Sequence, residues 1–382
     1  MSLRVSRRAA GVSPFIVMDV MRAAYEREVQ GHDIVHLEVG QPSTSAPKGV
    51  IEAAKAALDR DRIGYVDALG IPALRTRIAR HYQDRYGLAL PADRVVVTQG
   101  SSGAFLLSFL SAFEPGDRVA LAAPGYPAYR NILAALGFEP VDLLADLEHK
   151  YQPTVELLRA AGPVAGLIVA SPSNPTGTTI SGPEMQALAD YCAAHGIRLI
   201  SDEIYHGIVF EGGSATAAAC SDSAIVINSF SKYFSMTGWR LGWMVVPSDM
   251  LRAIECLAQN MFISAPTLSQ HAAVAAFECA EELDGHVRRY RENRDLLLRG
   301  LPRAGLDRLA TPDGAFYLYA DVSHLTNDSR EFCRRMLVEA GVATTPGLDF
   351  DRQRGHGTLR ISFAGATAEM AEAVKRLERW QR

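Results

Sequence analysis

The chain has 382 residues, 48% of them hydrophobic, and carries 39 lysines and arginines against 43 aspartates and glutamates, a formal net charge of −4. This length is too great for a single simple core and predicts two domains. The near-neutral balance excludes the electrostatic footprint of a protein that grips nucleic acid or an anionic membrane, so small molecules are the expected partners.

From the N-terminus, PFIVMDVMRAAYEREV is expected to form an amphipathic helix, followed by a strand ending at Gly40. This arm, residues 1–45, is expected to pack with the C-terminal part of the chain. Short apolar runs then alternate with longer helical stretches: VVVT at 95–98, RVALA from 118, GLIVA from 166, RLIS from 198, AIVIN at 224–228 and GWMVV from 242. That alternation predicts a mainly parallel sheet wrapped by helices, and runs that are apolar at every position predict strands covered on both faces. A large domain is therefore placed at 46–285. From about Gly285 the pattern changes to a basic helix, HVRRYRENRDLLLRGL, then AFYLYADV, TLRISFA and a closing helix, which predicts a smaller α+β domain over 286–382.

No apolar run approaches the roughly 20 residues that cross a bilayer, and the N-terminal arginines have no apolar block behind them. Cys192, Cys220, Cys256, Cys279 and Cys333 are scattered without a CxxC pair, against a zinc centre or disulfide framework. A cytoplasmic protein with no membrane or nucleic-acid partner is expected.

Candidate chemistry falls where the strands end. In VVVTQGSSGAFLLSFL, Ser101 and Ser102 open a helix, either as an anion site built on backbone amides or as ordinary N-cap residues. The segment is neither a P-loop nor a dinucleotide fingerprint. Tyr126 in APGYPAY and Asn174 in SPSNPTGT offer an aromatic face and a hydrogen-bonding edge to a planar cofactor, or serve as packing and turn residues. Asp202 and Tyr205 in SDEIY lie three apart at a strand end, where the carboxylate is a partner for a protonated ring nitrogen, an N-cap or a metal ligand. Lys232 in SFSKYFSMTGWRLGW follows another strand, and partial burial beside a cation such as Arg240 would disfavour its ammonium and make it an imine-forming amine.

Taken in order, LEVGQP, YVDALGIPALR, VTQGSSGA, PGYPAY, SPSNPTG, SDEIY, SFSKYFSMTGWRLGW and LRISFA resemble the fold-type I pyridoxal-phosphate enzymes. Within them the chain is similar, from about Ser6 onward, to the class I/II aminotransferases of the aspartate and aromatic branch. The resemblance implies an α/β fold, with a mainly parallel seven-stranded sheet flanked by helices in a large domain and a smaller α+β domain beside it. It implies pyridoxal 5'-phosphate as cofactor and Lys232 as the lysine that forms a Schiff base with it and then moves the proton at the substrate α-carbon. Asp202 would pair with the ring nitrogen, Tyr205 and Asn174 would bond the ring 3-oxygen, and Tyr126 would stack on the ring face. Ser101, Ser102, Ser229 and Arg240 would hold the phosphate. Arg360 would pair with the substrate α-carboxylate in a bidentate manner, with Gly40 and Asn174 beside it. Tyr65 would reach the phosphate of the neighbouring subunit's cofactor, which implies a homodimer with shared active sites.

The activity so implied is a ping-pong exchange of an amino group between an L-amino acid and a 2-oxo acid. The alternative is a carbon–sulfur β-lyase on the same scaffold. Val17 and Ser102, the positions matched to the family's binder of a distal carboxylate, are neutral, so no dedicated dicarboxylate pocket is expected. Phe15, Val17 and Phe316 would line an apolar pocket or belong to the core.

Overall fold

Thirteen strands form among residues 5–380, the residues described by the structure, a computed structural model. The first four residues of the expected arm and the last two of the expected C-terminal domain lie outside them. In chain order the strands are β1 Val35–His36, β2 Val95–Thr98, β3 Arg118–Ala123, β4 Glu139–Leu144, β5 Gly166–Ala170, β6 Arg198–Asp202, β7 Ile225–Ser229, β8 Gly242–Val245, β9 Arg308–Ala310, β10 Tyr317–Asp321, β11 Val342–Ala343, β12 Thr345–Pro346 and β13 Thr358–Ser362.

Seven of these make one sheet in the order β2-β8-β7-β6-β5-β3-β4, with β8 running against its neighbours and the other pairs parallel. Alternate residues of one strand enter different cores. Val95, Val97, Val226 and Val245 pack on one face with Trp243, while Val96, Ile225, Ile227 and Met244 pack on the other. Two buried faces require the unbroken apolar runs seen in the sequence, and each fully buried Val or Ile contributes about 1.5–3 kcal/mol. The β4 run, EPVDLL, was not recognised as a strand; it forms the sheet edge, where Glu139, Pro140 and Asp142 are tolerated and only one residue, Leu143, is fully buried.

A second, four-stranded sheet, β12-β13-β10-β9, is antiparallel and packs with the C-terminal helix Thr367–Arg379 in its own core. The expected boundary between 285 and 286 falls inside the continuous helix Ala280–Gly300, so it marks no linker; Gly285 sits within regular helix. The strand expected to end at Gly40 is only two residues long. β1 pairs in parallel with β11, after which the backbone splits its bonds, Leu37 donating to Ala343 and accepting from Ser362.

The arm helix, Ile16–Val29, begins two residues later than its hydrophobic pattern suggested. Phe15 is extended, and the free amides of Ile16 and Val17 are taken up by the Asp349 carboxylate at 3.0 and 3.2 Å. A carboxylate at a helix N-terminus is favourable for both the orphan amides and the macrodipole. Among the described residues no helix is long and apolar enough to cross a membrane.

Candidate active site

The C-terminal ends of β2, β3, β5, β6 and β7 open on one edge of the large sheet, the usual position for a site in an open α/β fold. A cavity of about 240 Å³ lies there, closed on one side by the arm and by β10 and β13. Lys232 follows β7, and its Nζ donates to the Gly40 carbonyl at 2.6 Å. Its pKa is pushed down to about 8, first by burial and then by the Arg360 guanidinium, with Asp202 opposing and Arg240 a smaller influence. The dominant cation is therefore Arg360 and not the sequence-near Arg240.

Asp202 ends β6 on the cavity wall. Its carboxylate accepts the Tyr129 phenol and the Ile204 amide, the latter at 3.1 Å, and burial pushes its pKa up to about 6. Tyr205 brings its hydroxyl to 2.7 Å from that of Tyr317. Tyr126 lies on the wall between Phe15 and Tyr129, with edge-to-face ring contacts at 5.8 and 5.2 Å. Asn174 accepts from Arg360 Nη1 at 2.9 Å. On β13, Arg360 Nη2 donates to the Glu38 carbonyl and to the Thr345 hydroxyl, while its Nε is buried with no partner among the described residues.

Ser101 and Ser102 occupy the first turn of the helix Gly100–Ala112, and among the described residues neither hydroxyl has a hydrogen-bond partner, so neither acts as a cap. Arg240 arrives beside them from a left-handed backbone position, φ 52°, and among the described residues its side chain has only the Thr237 carbonyl for hydrogen-bond partner and no carboxylate. Gly100 admits it: a Cβ there would lie 2.7 Å from Arg240 Nη2, and φ is +65°.

Three residues named from the sequence, Ser229, Phe316 and Tyr65, do not line this cavity. Ser229 is off the cavity wall, because its hydroxyl holds the turn after β7, donating to the Leu241 carbonyl and accepting the Ser231 amide at 3.1 Å. Ser231 lines the cavity in its place. Phe316 is core, packed behind Tyr205 against Tyr290. Tyr65 is 83% exposed and does not line this chain's cavity. Gly40, Phe15 and Val17 do line it, joined by Met18, Met21 and Val39, which the sequence reading had not singled out. Tyr129 and Tyr317 were also missed. Neither left a signal beyond lying inside a run already noted, Tyr129 in APGYPAY and Tyr317 in AFYLYADV.

The family described as Aminotransferase class I and II matches residues 32–377. The chain belongs to this family. As a class I and II aminotransferase it depends on pyridoxal phosphate and exchanges an amino group between an amino acid and a 2-oxo acid. It is 53% identical to a valine–pyruvate aminotransferase of Mycobacterium tuberculosis, over all of this chain and 99% of that protein. It is 32% identical to an aspartate/prephenate aminotransferase of Thermus thermophilus, over 98% of each. The crystal structure of an aminotransferase from Mycobacterium tuberculosis superposes with a TM-score of 0.97 at 53% identity, covering 99% of both chains. These aminotransferase relatives do not favour the β-lyase alternative.

Proposed function

We propose that this aminotransferase takes its amino group from an aliphatic L-amino acid such as valine, passes it to a small 2-oxo acid such as pyruvate, and works as a cytoplasmic homodimer. The observation that carries the substrate reading is the cavity's charge. Its cationic side chains are Lys232, Arg240 and Arg360, and the wall supplied by the arm is built from Phe15, Val17, Met18, Met21 and Val39. With those three cations assigned as below, this chain's wall leaves none for a second substrate carboxylate. The name of the 53% identical relative points the same way.

The donor set fits pyridoxal phosphate: a lysine with a lowered pKa, a buried carboxylate, two unpartnered hydroxyls beside an uncompensated guanidinium, and an orphaned guanidinium Nε. Bound there, the cofactor supplies the aldehyde carbon for a Schiff base with Lys232 and a ring that withdraws the electrons left when the α-proton departs. Lys232 would be the base and acid for that proton. Asp202, steadied by Tyr129, would pair with the ring nitrogen and keep it protonated. Tyr205 and Asn174 would bond the 3-oxygen, and Tyr126 would pack on the ring. Ser101, Ser102 and Arg240 would take the phosphate, with Ser231 rather than Ser229 beside them. Arg360 and Asn174 orient the substrate carboxylate next to Gly40.

Tyr65 is assigned to the partner's phosphate. Its exposure, and that of Ile63, Met261 and Ile263 on segments joined by the Thr267 hydroxyl on the Gly64 carbonyl, supports a covered apolar face there. We further divide the chain into an arm, a large cofactor-binding domain and a small domain that begins with the helix Ala280–Gly300.

The test is a half-reaction panel: holoenzyme mixed with single L-amino acids and no acceptor, with oxo acid and ammonia measured. Valine is expected to yield stoichiometric oxo acid and no ammonia, and aspartate to react about 100-fold more slowly, since its second carboxylate would be buried unpaired. Preference for aspartate would reject the apolar-pocket reading, and continuous ammonia release would restore the lyase.

A further inference from the structure

Tyr317, on β10, touches two of the assigned groups at once. Its ring lies 4.5 Å from the Arg360 guanidinium carbon, and its hydroxyl lies 2.7 Å from that of Tyr205. Both phenols are buried, and among the described residues the Tyr317 hydroxyl has no other hydrogen-bond partner. Gly40 makes the room, because a Cβ at that position would overlap the Tyr317 hydroxyl.

A phenol has one proton to donate. Where Tyr205 directs its proton at the cofactor 3-oxygen, the bond between the two phenols must run from Tyr317 to Tyr205. We propose that Tyr317 is a positioning residue that donates to the Tyr205 oxygen and so commits the single Tyr205 proton to the 3-oxygen of bound pyridoxal phosphate. This rests on the assignment of Tyr205 made above. A phenol that accepts one hydrogen bond donates another more strongly, by about a tenth to a third. Stronger donation to the 3-oxygen favours its anionic form and lowers the proton affinity of the neighbouring Schiff-base nitrogen. The ring of Tyr317 serves Arg360 separately, so its hydroxyl and its face have distinguishable effects.

The experiment is a visible-absorption pH titration of the resting holoenzyme, which reports the Schiff-base pKa, together with KM for the amino acid. Tyr205→Phe is expected to raise that pKa by about one pH unit, the net worth of one hydrogen bond. Tyr317→Phe is expected to raise it by about 0.3 unit with KM unchanged, because the ring beneath Arg360 remains. Tyr317→Leu is expected to raise KM about tenfold as well. Tyr317→Leu also lacks the hydroxyl and is expected to show the same Schiff-base shift, which keeps the proposal testable should Tyr317→Phe fold poorly. A fall or no change in Tyr317→Phe, with Tyr205→Phe behaving as expected, overturns the proposal and leaves Tyr205 in its role. No shift in Tyr205→Phe overturns that role and the proposal with it.

Discussion

Arg360 enters the cavity with its two terminal nitrogens held by Asn174, Glu38 and Thr345 and with Nε buried and unpartnered. A buried donor without an acceptor costs about 1–3 kcal/mol, so on the proposed assignment an arriving carboxylate would relieve a standing penalty. Lysine keeps the charge but lacks the planar fork. Arg360→Lys is therefore expected to raise KM for the amino acid about 10- to 100-fold in steady-state kinetics at saturating oxo acid. A KM within twofold of the parent would place the carboxylate elsewhere. Lys232, Asp202 and Arg360 were singled out from short motifs because the expected chemistry demands one residue type at each, and the structure brings all three to one cavity. Tyr129 and Tyr317 were not, since each acquires its meaning from a partner 73 or 112 positions away. Ser229 and Ser231 were equally suitable by type, and only the turn after β7 decides which hydroxyl faces the cavity.

At the level of elements, the arm helix is tied to β1 by His36. Its Nδ1 lies 2.7 Å from buried Glu38, and its Nε2 lies 3.1 Å from Glu28 on the arm helix. The hydrogen bond to Glu38 is the largest cause that raises the His36 pKa from 6.5 to about 9, with the Glu38 and Glu28 charges adding to it against partial burial. A folded-state pKa above the unfolded value means that the contribution is complete below about pH 6.5 and is lost as pH rises through about 9. Unfolding midpoints measured from pH 6 to 10 are expected to fall more steeply in the parent than in His36→Gln. Parallel curves would show that the imidazolium stabilises nothing. The same comparison separates what periodicity reveals from what it does not. Strands buried on both faces announced themselves, whereas edge strand β4 was hidden by its polar residues. The helix Ala280–Gly300 continued through a change of composition that had suggested a boundary.

For the whole molecule, the proposed dimer accounts for an exposed tyrosine that sequence similarity alone had assigned a role. Sedimentation of the holoenzyme is expected to give twice the chain mass, and Tyr65→Ala is expected to weaken cofactor binding about tenfold without dissociating the dimer. A monomer that retains full cofactor affinity would reject the shared site. The proposed division of labour within one chain has a further consequence. Cofactor-anchoring groups sit on strand ends fixed by the two large cores, whereas Phe15, Val17, Met18 and Met21 come from one capped helix and its entry turn, outside the large sheet. On the proposed assignment donor preference is a separable module, and a focused library at those four positions is expected to retune the substrate range while the catalytic framework is inherited intact.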